Sequence, residues 1–423
     1  MTGDRARQYL SKLADYERAL PRSYDKATFG LERMKHLLAA MDHPQASLRV
    51  LQVGGTNGKG SVCAFADSIL RHGGYRTGLA TSPHLLDMAE RIRVDGLIVP
   101  EGLFGDAVGA VAAAGDTLPD GERDTLTFFE VMIAAGLETF RRAGVQIAVL
   151  EVGLGGRFDA TSAATPDVVV ITPVGRDHQG FLGETIEEIA ADKAHLLRPG
   201  VPAILGCSEP ALSVFRARAA EVGAPILVLG EDFGLWDKDV GLPGEFQRAN
   251  ATLAVEATKL LAPGISPEAR AQALIDTRWP GRFQVVEGAP PIVLDGAMNP
   301  EAAAALGGDL TLRYPEATVA LILGMSHDKR PAEFMAAFAA ACPGLGPLLT
   351  TSAPGPRAMP ARELTDVLRS RGYPAVLRPD LEDALEKARD SGADVACIAG
   401  SVYLVAEAMR LLGLDAEIVR KGP

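Results

Sequence analysis

Three observations predict a two-domain α/β protein built on parallel sheets. Short apolar runs alternate with helix-period segments across Gly-containing turns, the runs are apolar throughout, and the same rhythm restarts after about Gly288. A strand apolar on both faces has to be covered on both, which helices between parallel strands achieve. At 423 residues the chain can give each domain a core of its own. Sheets of this kind bind ligands outside the carboxyl ends of their strands, so two such domains facing each other across a cleft is the expected arrangement.

In the first half, strands are expected at 50–53, 77–81, 147–152, 168–172, 203–206 and 226–229. In the second they are expected at 292–294, 319–323, 348–351, 375–377 and 395–399, with helices at 331–341, 361–371 and 402–412. Trp279-Pro280-Gly281-Arg282 and Gly288-Ala289-Pro290-Pro291 are rich in turn formers and suit a hinge, giving domains at 1–286 and 287–423.

Composition narrows the function classes. A net charge of -12 argues against a nucleic-acid binder that relies on a broad basic surface. An anionic small substrate stays possible, because a local set of Lys, Arg and helix N-termini can bind one inside an acidic protein. No apolar run approaches the roughly 20 residues of a membrane span, and the N-terminus has no signal-peptide core. Cys63, Cys207, Cys342 and Cys397 are scattered without metal or redox spacing, as expected of buried thiols in a reducing cytoplasm.

The most specific motif is Gly55-Thr56-Asn57-Gly58-Lys59-Gly60-Ser61, between an apolar strand and a helix expected at 61–70. Backbone N–H groups at a helix N-terminus attract phosphate, Lys59 adds a cation, and the Ser61 hydroxyl can ligate Mg²⁺. Gly60, between Lys59 and Ser61, departs from the usual P-loop spacing. Strand before, helix after, and both Lys and Ser present outweigh the plainer reading of an incidental Gly-rich turn.

Glu151 closes an apolar run and precedes the flexible turn Val152-Gly153-Leu154-Gly155-Gly156-Arg157. A carboxylate at a strand end beside a phosphate loop suits Mg²⁺; the alternative is a solvated cap. Asp177-His178 offers a second ligand at the same edge, against the plainer reading of a structural histidine. Thr185 and Glu188 form a capping box, and on the helix that follows Lys193 shares the face of Ile186, Ile189, Ala190 and Leu197. Such a lysine normally snorkels to solvent. The alternative is a buried lysine of lowered pKa, which is nucleophilic and open to modification.

In the second half, Asp295 opens Gly296-Ala297-Met298-Asn299-Pro300 after one strand, and Gly324-Met325-Ser326-His327-Asp328-Lys329 follows another. Arg282, in the hinge, is a candidate phosphate partner.

These residues together resemble the folate branch of the Mur ligase superfamily, the folylpolyglutamate and dihydrofolate synthases. The resemblance spans nearly the whole chain: Phe29-Gly30-Leu31-Glu32-Arg33-Met34, the phosphate loop, Ser82-Pro83-His84-Leu85, Glu90-Arg91-Ile92, the Glu151 segment through Phe158-Asp159-Ala160-Thr161, Asp177-His178, Asp192-Lys193-Ala194, Pro280-Gly281-Arg282-Phe283-Gln284 and Gly400-Ser401-Val402-Tyr403-Leu404. It implies a P-loop, parallel-sheet Mur-ligase central domain followed by a smaller Rossmann-like α/β domain. It also implies that ATP phosphorylates a substrate carboxylate and that the amino group of L-glutamate attacks the acyl phosphate.

By the same resemblance the residues of the 55–61 loop bind ATP, with Lys59 at the β- and γ-phosphates. Ser61 and Glu151 would hold one Mg²⁺, His178 would help hold a second, and Lys193 would be carbamylated by CO₂. Asn250, Arg282 and Asp295 would contact the nucleotide. Ser82, Pro83, His84, Phe129 and Glu130 would form the wall for dihydropteroate or a reduced folate. Ser82-Pro83-His84-Leu85 and Gly155-Gly156-Arg157 look more like the bifunctional bacterial enzymes. The implied protein is a cytoplasmic monomer without nucleic-acid or membrane partners. Three departures stand out: Met298 where the family usually has His, Arg330 where it has an acidic residue, and a short stretch before Gly244.

Other readings are a related amino-acid ligase with another carboxylate substrate, such as a peptidoglycan precursor, or a degenerate ATP-binding module. Against the former, the phosphate loop begins too early to leave room for a preceding nucleotide-sugar domain.

Overall fold

The computed structural model describes residues 1–17, 19 and 29–414. They form two compact units, one of Met1–Gly241 with Gln247–Arg278, the other of Leu242–Phe246 with residues 279–414. Each is a sheet flanked by helices.

The first sheet contains β1 (Arg49–Gly54), β2 (Thr77–Ala80), β3 (Ile92–Val94), β4 (Leu97–Ile98), β5 (Ile147–Glu151), β6 (Val168–Ile171), β7 (Ala203–Leu205) and β8 (Ile226–Val228). Their order is β4-β3-β2-β5-β1-β6-β7-β8. From β2 to β8 all pairings are parallel, and β3 and β4 add an antiparallel edge. That edge was not expected from sequence, because two or three residues are too few to establish an alternating pattern. Val50, Ala148 and Leu150 pack toward helices Leu31–Ala40, Glu101–Gly115 and Phe128–Arg142, while Val169, Ile171, Ala203 and Leu205 pack toward helix Ala211–Val222. The strands are therefore apolar on both faces because both faces are covered.

The second sheet contains β9 (Gln284–Val286), β10 (Ile292–Leu294), β11 (Val319–Leu323), β12 (Leu345–Thr350), β13 (Ala375–Leu377) and β14 (Val395–Ala399), in the order β13-β12-β11-β14-β10-β9. Only β9 runs antiparallel, against β10, so part of the turn-rich hinge segment is a strand of this sheet. β12 starts three residues earlier than its apolar run, at Leu345. The pairing with β11 skips register there, where Pro347 cannot donate to the ladder.

Asp309, on helix Pro300–Arg313, accepts a 2.9 Å hydrogen bond from Glu245 N through Oδ1. Its Oδ2 is buried without a hydrogen-bond partner. Burial, with the charges of Asp295 and Glu245, raises its pKa from 3.8 to about 6. A carboxyl whose folded pKa lies above its unfolded value favours the protonated state, so stability falls as pH rises across that window and stays lower above it. Asp309→Asn should therefore raise the melting temperature relative to the native chain at pH 8 and lose that advantage near pH 4. Thermal melts at both pH values check this; an equal difference at the two would contradict it.

Candidate functional site

At the carboxyl edge of the first sheet, three neighbouring strands end level: Val53 pairs with Glu151 and Gly54 with Ile171. From β1 the chain turns through Gly55 (φ +133°) and Gly58 (φ +88°) into helix Lys59–His72. Only glycine takes such angles without strain. Space also forbids a side chain: a Cβ on Gly55 would lie 2.9 Å from the backbone N and O of Thr172, and one on Gly58 would strike the Asn250 carboxamide. Thr56 N donates to Pro173 O at 3.0 Å and Thr56 Oγ1 to Gly175 O at 3.3 Å, so the loop is fixed to the segment leaving β6. The Lys59 ammonium folds back to Thr56 O at 3.1 Å, and Ser61 is buried in the first helical turn. Asn250 is oriented by Gln247 on the same helix, its side-chain amide donating to Gln247 Oε1 at 2.9 Å. A helix N-terminus with a lysine in its first turn is a phosphate-binding geometry.

Glu151 is buried and accepts the backbone N–H of Ser82 at 3.0 Å, linking the ends of β5 and β2. The Gly-rich turn that follows is held by Asp159, which accepts Gly153 N at 2.9 Å, Leu154 N at 3.1 Å and Thr161 N at 3.0 Å. In the sequence this task is signalled only by the Asp159-Ala160-Thr161 step, an Asx-turn pattern.

Lys193 is buried, and its ammonium donates to Gly55 O at 2.8 Å. The apolar stripe therefore carries it into the protein and not along the surface to solvent. Burial, followed by repulsion from Lys59, lowers its pKa to about 7, against weaker attraction by Asp192, Asp177 and Asp159. Gly156 permits this packing, since a Cβ there would come within 2.9 Å of the Lys193 backbone. His178 adopts φ +53°, and its N–H donates to Asp177 Oδ1 at 2.9 Å.

The 82–87 loop closes another side. Glu90 accepts Leu85 N, Leu86 N and Asp87 N at 2.9, 2.7 and 2.7 Å. Pro83 is exposed and His84 half-buried. The Phe129 ring lies where a Gly153 side chain would be. Glu130 is engaged within the fold: Arg33 Nε donates to it at 2.9 Å, and the Thr127 N–H at 2.9 Å.

Arg282 and Asp295 belong to the second unit and sit together there. Asp295 accepts Phe283 N at 2.8 Å and Ala297 N at 2.7 Å, and burial raises its pKa against the pull of Arg282. Met298 is half-buried in the same turn, and Asn299 caps helix Pro300–Arg313. Asp328 pairs with Arg357, while Arg330 pairs with Glu333 at 2.9 Å.

Among the described residues no three His, Cys, Asp or Glu side chains converge as a metal cage. A hard cation of the Mg²⁺ kind takes one or two carboxylates from the protein and completes its shell with water and phosphate oxygens. Glu151 and Ser61 are such donors.

The Mur ligase middle domain matches residues 53–239, and the Mur ligase glutamate ligase domain matches residues 281–402. A Haloferax volcanii relative, named a probable bifunctional folylpolyglutamate synthase/dihydropteroate synthase, is 34% identical over 93% of this chain, which spans only 50% of that protein. The Escherichia coli dihydrofolate synthase/folylpolyglutamate synthase is 30% identical, over 96% of this chain and 97% of its own. A crystal structure of the bifunctional Yersinia pestis synthase, complexed with AMPPNP and a Mn ion, superposes with a TM-score of 0.85 at 29% identity, covering 98% of each chain. With the phosphate loop, the carboxylate edge and both domain matches in register, the chain belongs to the folylpolyglutamate synthase/dihydrofolate synthase family of Mur ligases, a family of ATP-dependent glutamate ligases.

Proposed function

We propose that this chain joins L-glutamate to dihydropteroate, to reduced folyl(poly)glutamates, or to both, at the expense of ATP. The observation that carries the reading is the buried Lys193, donating to Gly55 O at 2.8 Å with its pKa lowered to about 7. A lysine confined beneath a phosphate loop and partly neutral near pH 7 can attack CO₂, which makes an anionic carbamate from a cation. Its remaining N–H can still donate to Gly55 O.

In the proposed mechanism, the helix amides and Lys59 hold the β- and γ-phosphates, and Asn250, beside Gly58, contacts the nucleotide. The substrate carboxylate takes the γ-phosphoryl group, ADP leaves, and the glutamate nitrogen adds to the acyl carbon. Collapse of the tetrahedral adduct expels phosphate, and the nitrogen gives up a proton. Ser61 and Glu151 would hold one Mg²⁺, with His178 and carbamylated Lys193 toward a second; bound there, such ions would offset phosphate charge. Ser82, Pro83, His84 and Phe129 are the proposed acceptor wall, with Glu130 supporting it through its contacts to Arg33 and Thr127. Asp295, in the second domain, and Arg282, just before the proposed boundary near 286, carry the proposed nucleotide role.

No helix among the described residues is long and apolar enough to cross a membrane, and all four cysteines are free and buried. These facts support a cytoplasmic setting; a monomer with small-molecule partners completes the proposal.

The test is glutamate incorporation with dihydropteroate and with tetrahydrofolate, products weighed by mass spectrometry. ATP hydrolysis or binding without any glutamyl product would make the chain a nucleotide-binding relic and end the ligase reading. Lys193→Ala should reduce turnover by at least about 100-fold, the scale of a lost electrostatic contact in an active site. Short carboxylates added to the assay should restore part of it, and unchanged turnover would remove Lys193 from the chemistry. Gly55→Ala should abolish nucleotide binding by calorimetry, because a side chain there both meets the Thr172 backbone and adopts φ +133°; native affinity would contradict the loop assignment.

A further inference from the structure

The 82–87 loop is pinned at both ends by two carboxylates. Glu151 takes the N–H of Ser82, and Glu90 takes those of Leu85, Leu86 and Asp87. Between these anchors, Arg91 restrains the His84 ring: its Nε donates to His84 Nδ1 at 2.9 Å. Arg91 is itself over-determined. It is 3% exposed, both its Nη groups engage the Glu17 carboxylate, and its guanidinium lies over the Phe128 ring at 4.9 Å. Its backbone carbonyl also accepts Thr81 N at 3.1 Å, immediately before the loop begins.

A guanidinium has donors only. A ring nitrogen that accepts from it must present a lone pair, so the neutral imidazole of His84 carries its proton on Nε2. The forked pair with Glu17 and the Phe128 ring leave Arg91 little freedom to donate elsewhere. Planar, bidentate geometry of this kind is lost with lysine, whose single ammonium cannot serve carboxylate and imidazole in the same plane.

We propose that Arg91 is a positioning residue for the acceptor substrate, acting through His84: it fixes the Nε2–H tautomer and one ring orientation, and thereby the wall offered to the pteridine-bearing acid. The inference rests on the proposed function for the identity of that acid, but the state of His84 does not. The loop follows β2, which is separated from the phosphate-loop strand β1 by β5. Arg91 therefore governs the acceptor side of the edge, and nucleotide binding is independent of it.

Two readouts test this. In the ¹⁵N-labelled native protein, long-range ¹H–¹⁵N spectra, with the His84 signals assigned by their loss in His84→Asn, should show Nδ1 unprotonated and Nε2 protonated. The reverse tautomer, or a mixture, overturns the inference without reference to any activity. In Arg91→Lys the His84 signals should move toward a mixture of tautomers. KM for the acceptor should rise about tenfold, the scale of one hydrogen bond to a charged group, with KM for ATP unchanged. Unaltered His84 signals, an unaltered acceptor KM, or equal rises in both KM values would each overturn it. If Arg91→Lys does not fold, Glu17→Gln, which weakens the fork alone, should shift His84 and the acceptor KM in the same directions, and no shift in either counts against the proposal. A native protein that makes no glutamyl product would sink the proposed function while leaving the tautomer result standing.

Discussion

One buried cation constrains the carboxyl edge of the first sheet. Lys193 Nζ donates to Gly55 O inside the protein, close enough to Lys59 that the Lys59 charge disfavours its own. An uncompensated buried ammonium is costly, and here it is relieved by one backbone carbonyl and by loss of the proton near neutral pH. The chain comes close together around this edge. Gly55 lies against Thr172, Gly58 against Asn250 and Gly156 against the Lys193 backbone, each at a distance that excludes a side chain. Gly156 is thus required by the packing of the Lys193 backbone, while Gly55 and Gly58 are required by the approach of Thr172 and Asn250.

The same edge shows how carboxylates divide between tasks by their partners. Asp159 is consumed by three backbone N–H groups and a hydroxyl, and its work is to shape the turn after Glu151. Glu90 and Glu130 are likewise committed, the first to loop amides and the second to Arg33 and a helix cap. Glu151 differs in that its position at the end of β5 places it level with the phosphate-loop strand, where a carboxylate can serve a cation.

Much of this was legible in the sequence. The interior parallel strands were evident as apolar runs because both sheet faces are covered, and the capping box at Thr185 and Glu188 correctly announced the helix that carries Lys193. Strands β3, β4 and β9 were not legible, since they are held by pairing and not by a pattern of their own. Nor could β12 be traced to its start, where Leu345-Gly346-Pro347 lacks an apolar run. At the site, residue types and spacing single out Lys59, Ser61, Glu151 and His178 as candidates. The burial of Lys193 stayed open between snorkelling and enclosure, because periodicity gives a residue's face but not what lies opposite it. The close approach of Thr172 to Gly55 and the Glu17 contact that fixes Arg91 join segments distant along the chain, which no local pattern encodes.

The proposed chemistry requires Lys193 to be a reactive, partly neutral amine beside Gly55. The direct measurement is ¹³C NMR of the protein equilibrated with ¹³C-bicarbonate across pH 6 to 8.5, native chain against Lys193→Ala. A lowered folded pKa means that the neutral amine accumulates as pH rises through about 7. A carbamate carbonyl signal should therefore grow over that range and be missing from the variant. A native spectrum identical to that of Lys193→Ala at every pH would contradict the account.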